Sequence, residues 1–106
     1  MGKRKKRKRK KNDSVNAILG AAWYRRQQWD RLLEISSDRD ELENTYDEWK
    51  AMAEENLSIL AQQGYVLRKI DIDVEELLRW CKLQNRPVDG DARVEFTLVK
   101  LREQDE

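Results

Sequence analysis

Nine consecutive lysine and arginine residues at positions 3–11 are the part of this sequence with the plainest chemistry. A run of positive charge binds a polyanion because it releases the counterions that the polyanion has condensed. The run holds no aromatic side chain that could stack on bases, so we expect binding to follow backbone charge and not nucleotide sequence. The residues assigned to this contact are Lys3, Arg4, Lys5, Lys6, Arg7, Lys8, Arg9, Lys10 and Lys11.

The remainder of the chain carries the opposite charge. The sequence has 22 Lys and Arg residues and 21 Asp and Glu residues, so its formal net charge is +1. Nine of the basic residues lie in the run, which leaves 13 basic and 21 acidic residues elsewhere, a net charge of −8. A run of like charges repels itself and buries no apolar group. We therefore predict a disordered basic arm over residues 1–14 and a single small domain over residues 15–106.

Other roles for the arm stay open on sequence alone. It could be a passive solubilising arm, could fold back on the acidic domain, or could serve as a nuclear import signal. Contact with an anionic membrane has little support, because Lys6 stands where a myristoylation signal needs Ser or Thr. A secretory signal over residues 15–23 is disfavoured, since that apolar run is short and contains Gly20. No run of about 18 apolar residues is present, so we expect no transmembrane helix and no membrane partner. The single cysteine excludes an intramolecular disulfide and suits a reducing compartment, so we expect a cytoplasmic protein.

Aromatic and basic residues are interleaved near the start of the domain. Bases stacked on aromatic rings, with neighbouring arginines on the phosphates, are typical of single-strand recognition. Trp29 and Trp49 fall on apolar helical stripes and are expected in the core, whereas Trp23 is the member most open to a ligand. The candidate phosphate contacts in the domain are Arg25 and Arg26, with Arg31 as a further position to test.

The chain has few side chains that could catalyse a reaction or bind a metal ion. It has no histidine, no glycine-rich phosphate loop and a single cysteine, Cys81, which lies late in an apolar helical segment and is expected to be a buried, inert thiol. One run of carboxylates could hold Mg²⁺, although helix capping explains two of its members. That run is Asp71, Asp73, Glu75 and Glu76. We predict no catalytic residue, no metal site and no cofactor.

Hydrophobic spacing and turn residues predict the elements that must position these groups. Residues 16–24 have a composition compatible with a strand. Residues 26–35 follow as a helix, because Trp29, Leu32 and Leu33 then fall on one side of it. The domain is thus predicted to open with a strand and a short helix.

A long helix is predicted next. Its start is marked by two overlapping pairs of capping residues, Asp38 with Glu41 and Ser37 with Asp40. Its apolar stripe repeats at intervals of three and four residues, the strongest periodic signal in the chain. The stripe consists of Leu42, Tyr46, Trp49, Ala53, Leu57 and Leu60.

Turn and capping residues also mark the ends of the predicted elements in the second half of the chain. Gly64 can end the long helix in the left-handed conformation, and residues 65–72 read as a half-buried edge strand or hairpin partner. Asp73 with Glu76 predicts a capped helix that ends around Arg86-Pro87, and Asp89 predicts the cap of a last helix. The apolar positions of the two helices are Val74, Leu77, Leu78 and Cys81, and then Ala92, Phe96 and Val99 with Val94, Leu98 and Leu101 beside them.

The predicted order is strand, helix, long helix, strand, helix, helix. Two strands separated by a helical pair favour an α+β fold, with a small two-stranded sheet packed against about four helices. An all-α bundle is the alternative if residues 16–24 are not extended. The stripe of the long helix could also be a dimer seam, so a homodimer is an alternative use of that face.

Three short segments resemble a group of short bacterial proteins to which no activity is assigned. The segments are Trp23-Tyr24 with Trp29-Asp30-x-Leu32, then Tyr46-Asp47-Glu48-Trp49, and Pro87-Val88-Asp89-Gly90 ahead of Phe96. The resemblance covers most of the domain but not the arm. It implies a compact domain and transfers no activity, cofactor or catalytic residue.

Three classes of function follow from these observations. We expect a non-enzymatic accessory protein that binds nucleic acid, RNA before DNA, or the ribosome through the arm. The first alternative is an adaptor that offers its acidic helical face or an exposed tryptophan to a protein partner. The second is a small enzyme with carboxylate chemistry, which the lack of a nucleophile with a matched base disfavours.

Overall fold

The computed structural model describes residues 18–104. The chain order is β1 (Ile18–Trp23), α1 (Trp29–Ile35), α2 (Tyr46–Gln62), β2 (Val66–Asp71), α3 (Val74–Leu83) and α4 (Gly90–Gln104). A 3-10 turn over Arg26–Gln28 leads into α1, and another over Arg39–Glu41 precedes α2. The α+β fold class and the predicted order of elements are confirmed. The predicted disordered arm, residues 1–14, lies outside the described residues.

The two strands form a parallel sheet. Ile18 lies opposite Val66, and the register runs to Trp23 opposite Asp71. Just beyond this ladder, the backbone N–H of Ile72 donates to the carbonyl of Trp23 at 3.1 Å. Parallel strands need a long crossover between them, which α1 and α2 supply here. The second strand is therefore the parallel neighbour of the first and not the partner of a hairpin.

The core lies between the sheet and the helices α1, α3 and α4. Helix α4 comes close to β1 at Gly20, where a methyl group would lie 3.3 Å from Cδ2 of Leu101 and 3.4 Å from Cγ1 of Ile70. Burial alternates along β2 and continues past its end, since Ile70 and Ile72 are buried while Asp71 is exposed. The largest fully buried side chains are Leu32, Ile70, Ile72, Val74, Leu77, Cys81 and Phe96.

The predicted start of the long helix is wrong. Residues 37–41 form a turn, and α2 begins at Tyr46 behind the cap Thr45. The Thr45 hydroxyl accepts from the backbone N–H of Glu48 at 3.1 Å, and the Glu48 carboxylate accepts from the N–H of Thr45 at 3.2 Å. This reciprocal pair satisfies two backbone donors. Asp38 makes no side-chain capping bond to the turn that follows it, and its carboxylate binds Arg93 instead.

Most of the other predicted helix ends are confirmed. The Asp73 carboxylate accepts from the backbone N–H groups of Glu75 and Glu76 at 2.9 and 3.2 Å. The Asp89 carboxylate accepts from the N–H of Ala92 at 2.9 Å. Gly64 has φ of 97°, the left-handed region in which a side chain is costly. Helix α3 ends at Leu83, ahead of the predicted Arg86-Pro87, because Asn85 turns into the left-handed region with φ of 55°.

Candidate functional site

Arg25, a predicted phosphate contact, is bound to a carboxylate at the end of the sheet. Its Nε donates to Oδ1 of Asp71 at 3.0 Å, and its Nη2 donates to Oδ2 of the same side chain. Hydrogen bonding to the guanidinium lowers the pKa of Asp71, which keeps the carboxylate charged. The pair is largely exposed, so it contributes little to stability.

Arg26 and Arg31 are bound to carboxylates as well. Arg26 donates to Asp47 at 2.8 Å. Arg31 donates to Glu75 at 2.8 Å and to Glu34 at 2.8 Å. A phosphate at any of these arginines would meet a carboxylate already in place, which repels it. The structure therefore gives Arg25, Arg26 and Arg31 carboxylate partners within the domain. Their contact with phosphate stays a prediction.

The run of carboxylates that could have held Mg²⁺ is dispersed among separate partners. Asp71 binds Arg25, Asp73 caps α3, and Glu75 binds Arg31. Glu76 accepts from Nζ of Lys100 at 3.0 Å. Within residues 18–104 the structure holds no group of three or more Cys, His, Asp or Glu side chains arranged to bind a metal ion.

Cys81 lies on α3, on the side of the helix that faces the core, and is buried. Burial raises the pKa of its thiol, which keeps it in the weakly nucleophilic protonated form. The placement agrees with the prediction of a structural thiol.

Five aromatic rings form one cluster where β1, α1 and α2 meet. We call this set the aromatic cluster: Trp23, Tyr24, Trp29, Tyr46 and Trp49. Ring centroids of Trp29 and Trp49 are 5.5 Å apart in a stacked arrangement. Both are buried, as predicted, whereas Trp23 is only half-buried at the margin. The buried Nε1 of Trp29 has no hydrogen-bond acceptor among the described residues.

A groove of about 370 Å³ opens beside the aromatic cluster, and sequence reasoning missed it. Its floor is β1, where the small residues Gly20 and Ala22 leave room. Helices α2 and α4 also line it, and we call the remaining lining segment, residues 41–43, the rim because its Glu41 is exposed. The lining residues are Gly20, Ala22, Tyr24, Glu41, Leu42, Glu43, Trp49, Met52, Gly90, Arg93, Val94, Thr97 and Leu98.

The α4 wall of the groove contains two residues predicted to sit beside the core stripe. Val94 is 62% exposed and Leu98 is 40% exposed. Their spacing of four residues was a usable signal, because it marks one apolar face of a helix. Within residues 18–104 no other element covers that face, and the spacing alone does not show this.

The groove has one paired cation in its wall and two carboxylates without ion-pair partners at its rim, within residues 18–104. Arg93 lies in the wall, where its guanidinium binds the carboxylate of Asp38, whose pKa is lowered by this hydrogen bonding. Glu41 and Glu43 lie at the rim, and neither has an ion-pair partner among residues 18–104. Burial raises the pKa of Tyr24 to about 12, so its phenol is neutral at physiological pH. The groove therefore combines apolar walls with an acidic rim.

Comparisons with known proteins identify no relative of this chain. No family model, no curated protein and no solved structure matches it. The resemblance to a group of short bacterial proteins stays a prediction. Among the helices of residues 18–104, none has the length and apolar character needed to cross a bilayer.

Proposed function

We propose that this chain is a non-enzymatic accessory protein that binds RNA, alone or within the ribosome, through the basic arm of residues 3–11. The observation that carries the proposal is the separation of charge along the chain. Nine positive charges stand together, and the remaining residues have a net charge of −8. Counterion release supplies affinity to such a run without any base-specific contact.

The ion pairs of the domain support this assignment of roles. Within residues 18–104, at least six basic side chains hold carboxylate partners: Arg25, Arg26, Arg31, Arg86, Arg93 and Lys100. A domain with excess carboxylates, many of its cations paired in this way, repels phosphate over about one Debye length, roughly 10 Å at 0.1 M salt. In the proposal, the arm supplies affinity and the acidic domain limits how closely the rest of the protein approaches the nucleic acid.

The proposal is tested by comparing two full-length variants with the original chain. In the first variant, all nine basic residues of positions 3–11 become Gln. In the matched control, Arg86→Gln is combined with Glu95→Gln, which removes one ion pair without changing net charge. Binding to a fluorescent single-stranded RNA is measured by anisotropy at 50 and 150 mM salt.

The arm variant is expected to bind at least about 100-fold more weakly at 50 mM salt, because the counterions released by the arm drive association. The control is expected to bind as the original chain does. Unchanged RNA affinity of the arm variant at both salt concentrations would reject the proposal. An equal loss in the control would contradict the assignment of the contact to the arm alone, because the domain would then contribute as much.

A further inference from the structure

We infer that the groove between β1, α2 and α4 binds lysine and arginine side chains of the chain's own basic arm, residues 3–11, and that RNA competes for the same side chains. The competition step rests on the proposed function, whereas contact between arm and groove does not. The inference assigns to the groove an occupant of stated chemistry: long cationic side chains with apolar stems.

The aromatic cluster already binds cations on its outer rings. Nζ of Lys69 lies 4.2 Å from the ring centroid of Trp23. The guanidinium of Arg26 lies 4.7 Å from the ring centroid of Tyr46. Cations are attracted to such ring faces by the aromatic quadrupole. Tyr24 and Trp49 belong to the same cluster and line the groove, but each is only 6% exposed, so cations meet this cluster at its outer rings and not inside the groove.

The walls of the groove suit the apolar stems of these side chains. Lysine and arginine bury three or four methylene groups along apolar surface while the charged head stays in water. Leu42 and Met52 on one side and Val94 and Leu98 on the other supply such surface. Binding of stems would cover Val94 and Leu98, which are 62% and 40% exposed in the described part of the chain.

The rim suits the charged heads. Glu41 and Glu43 stand at the edge of the groove without ion-pair partners among the described residues. The arm carries nine positive charges against the net −8 of the remaining chain. Charge complementarity of this kind favours the arm over the acidic C-terminal residues of the same chain as the occupant.

The arm is long enough to reach the groove. Lys11 precedes Ile18 by seven residues, and Lys3 precedes it by fifteen. At about 3.4 Å per extended residue, these segments span up to roughly 24 and 51 Å. The strand β1 has six residues and is about 20 Å long. Because the arm is tethered next to the groove, its effective concentration there is on the order of millimolar.

The contact itself is tested without RNA by carbodiimide crosslinking of the full chain at low salt, followed by peptide mass spectrometry. The reagent joins lysine amines to carboxylates that lie against them. We expect arm lysines to join Glu41 and Glu43 more often than Glu54 and Glu55, two exposed carboxylates on α2. Equal yields at the two pairs would overturn the inference. In an equal mixture of isotope-labelled and unlabelled chains, arm-to-rim crosslinks that join the two kinds of chain as often as random pairing predicts would also overturn it and assign the groove to a second copy.

The competition is tested with two variants of equal charge change. Glu41→Gln with Glu43→Gln alters the rim, and Glu54→Gln with Glu55→Gln alters the control surface. If the rim holds the arm, the rim variant binds single-stranded RNA about 3-fold more tightly than the control variant, since less of the arm is withheld. Equal affinities would contradict the competition.

The two failures are distinguishable. Loss of RNA binding in the arm variant together with equal crosslinking at both carboxylate pairs would keep the proposed function and reject the groove contact. Preferential crosslinking to the rim, together with equal RNA affinity of the original chain and the arm variant, would keep the groove contact and reject the proposed function.

Discussion

Asp38 and Arg93 form a two-pronged ion pair that ties the segment after α1 to the first turns of α4. Nη1 of Arg93 donates to Oδ1 of Asp38 at 2.9 Å, and Nη2 donates to Oδ2 at 2.7 Å. Nη1 also donates to the hydroxyl of Ser36 at 3.2 Å. The side chains are only 16% and 11% exposed, so this pair is the most shielded of the described ion pairs. It anchors the turn that carries the rim of the groove.

Breaking this pair on one side is expected to destabilise the fold by about 1 to 3 kcal/mol, because the remaining charge is left largely shielded from water without its partner. Arg93→Met and Asp38→Asn each test this, and the free energy of unfolding in urea is the measurement. The double variant should cost less than the two single variants added together. Strict additivity would show that the two side chains do not act as a pair.

The pair should also shape the stability of the protein in acid. Hydrogen bonding to Arg93 lowers the pKa of Asp38 in the folded state below its unfolded value of about 3.9. The stabilisation is therefore fully present above that value and is lost as the pH falls through the lower, folded pKa. Between pH 5 and 2, the Asp38→Asn variant should lose less stability than the original chain does. Identical pH profiles would contradict a folded-state role for the Asp38 charge.

The close approach of α4 to β1 predicts a coupling between Gly20 and Leu101. A larger side chain at Gly20 meets Cδ2 and Cβ of Leu101, so Gly20→Val should destabilise by about 1 to 3 kcal/mol. Leu101→Ala should cost about 2 to 5 kcal/mol because it leaves a cavity. Combined, the two changes should cost less than their sum, since the new valine occupies part of the vacated space. Additive costs in urea unfolding would show that the two positions are not in contact.

The corrected start of α2 can be tested by removing each cap. Thr45→Ala should cost about 1 kcal/mol, because the backbone N–H of Glu48 loses its acceptor. Asp40→Ala, which removes the acidic partner of the predicted Ser37 cap, should change stability by less than about 0.5 kcal/mol. Thermal unfolding followed by circular dichroism measures both. A larger loss of stability for Asp40→Ala than for Thr45→Ala would support a helix start near Ser37, as the sequence pattern predicted.

Sequence reasoning succeeded where a signal and its effect lie within a few residues of each other. Asp73 and Asp89 cap the helices that immediately follow them, and Gly64 takes the left-handed conformation at the end of α2. These outcomes depend on local backbone hydrogen bonds and sterics, which the sequence displays directly. Trp29 and Leu32 are buried for a similar reason, because helical spacing puts them on one face.

Sequence reasoning failed, or was silent, where a partner comes from far along the chain. Asp38 looks like a helix cap until Arg93, 55 residues later, takes its carboxylate. Arg25 looks like a phosphate contact until Asp71 pairs with it, 46 residues later. The groove was missed because Val94 and Leu98 have core-like composition, and only the packing of the helices decides which apolar face is covered.

The slope of log affinity against log salt concentration for single-stranded RNA tests the central claim most directly. Nine phosphate contacts made by residues 3–11 predict a slope approaching −6 for the full chain, since each contact contributes about −0.7. The variant with Gln at all nine positions should give a slope near zero. Equal slopes for the two proteins would contradict the account, because the salt-dependent contact would then lie outside the arm.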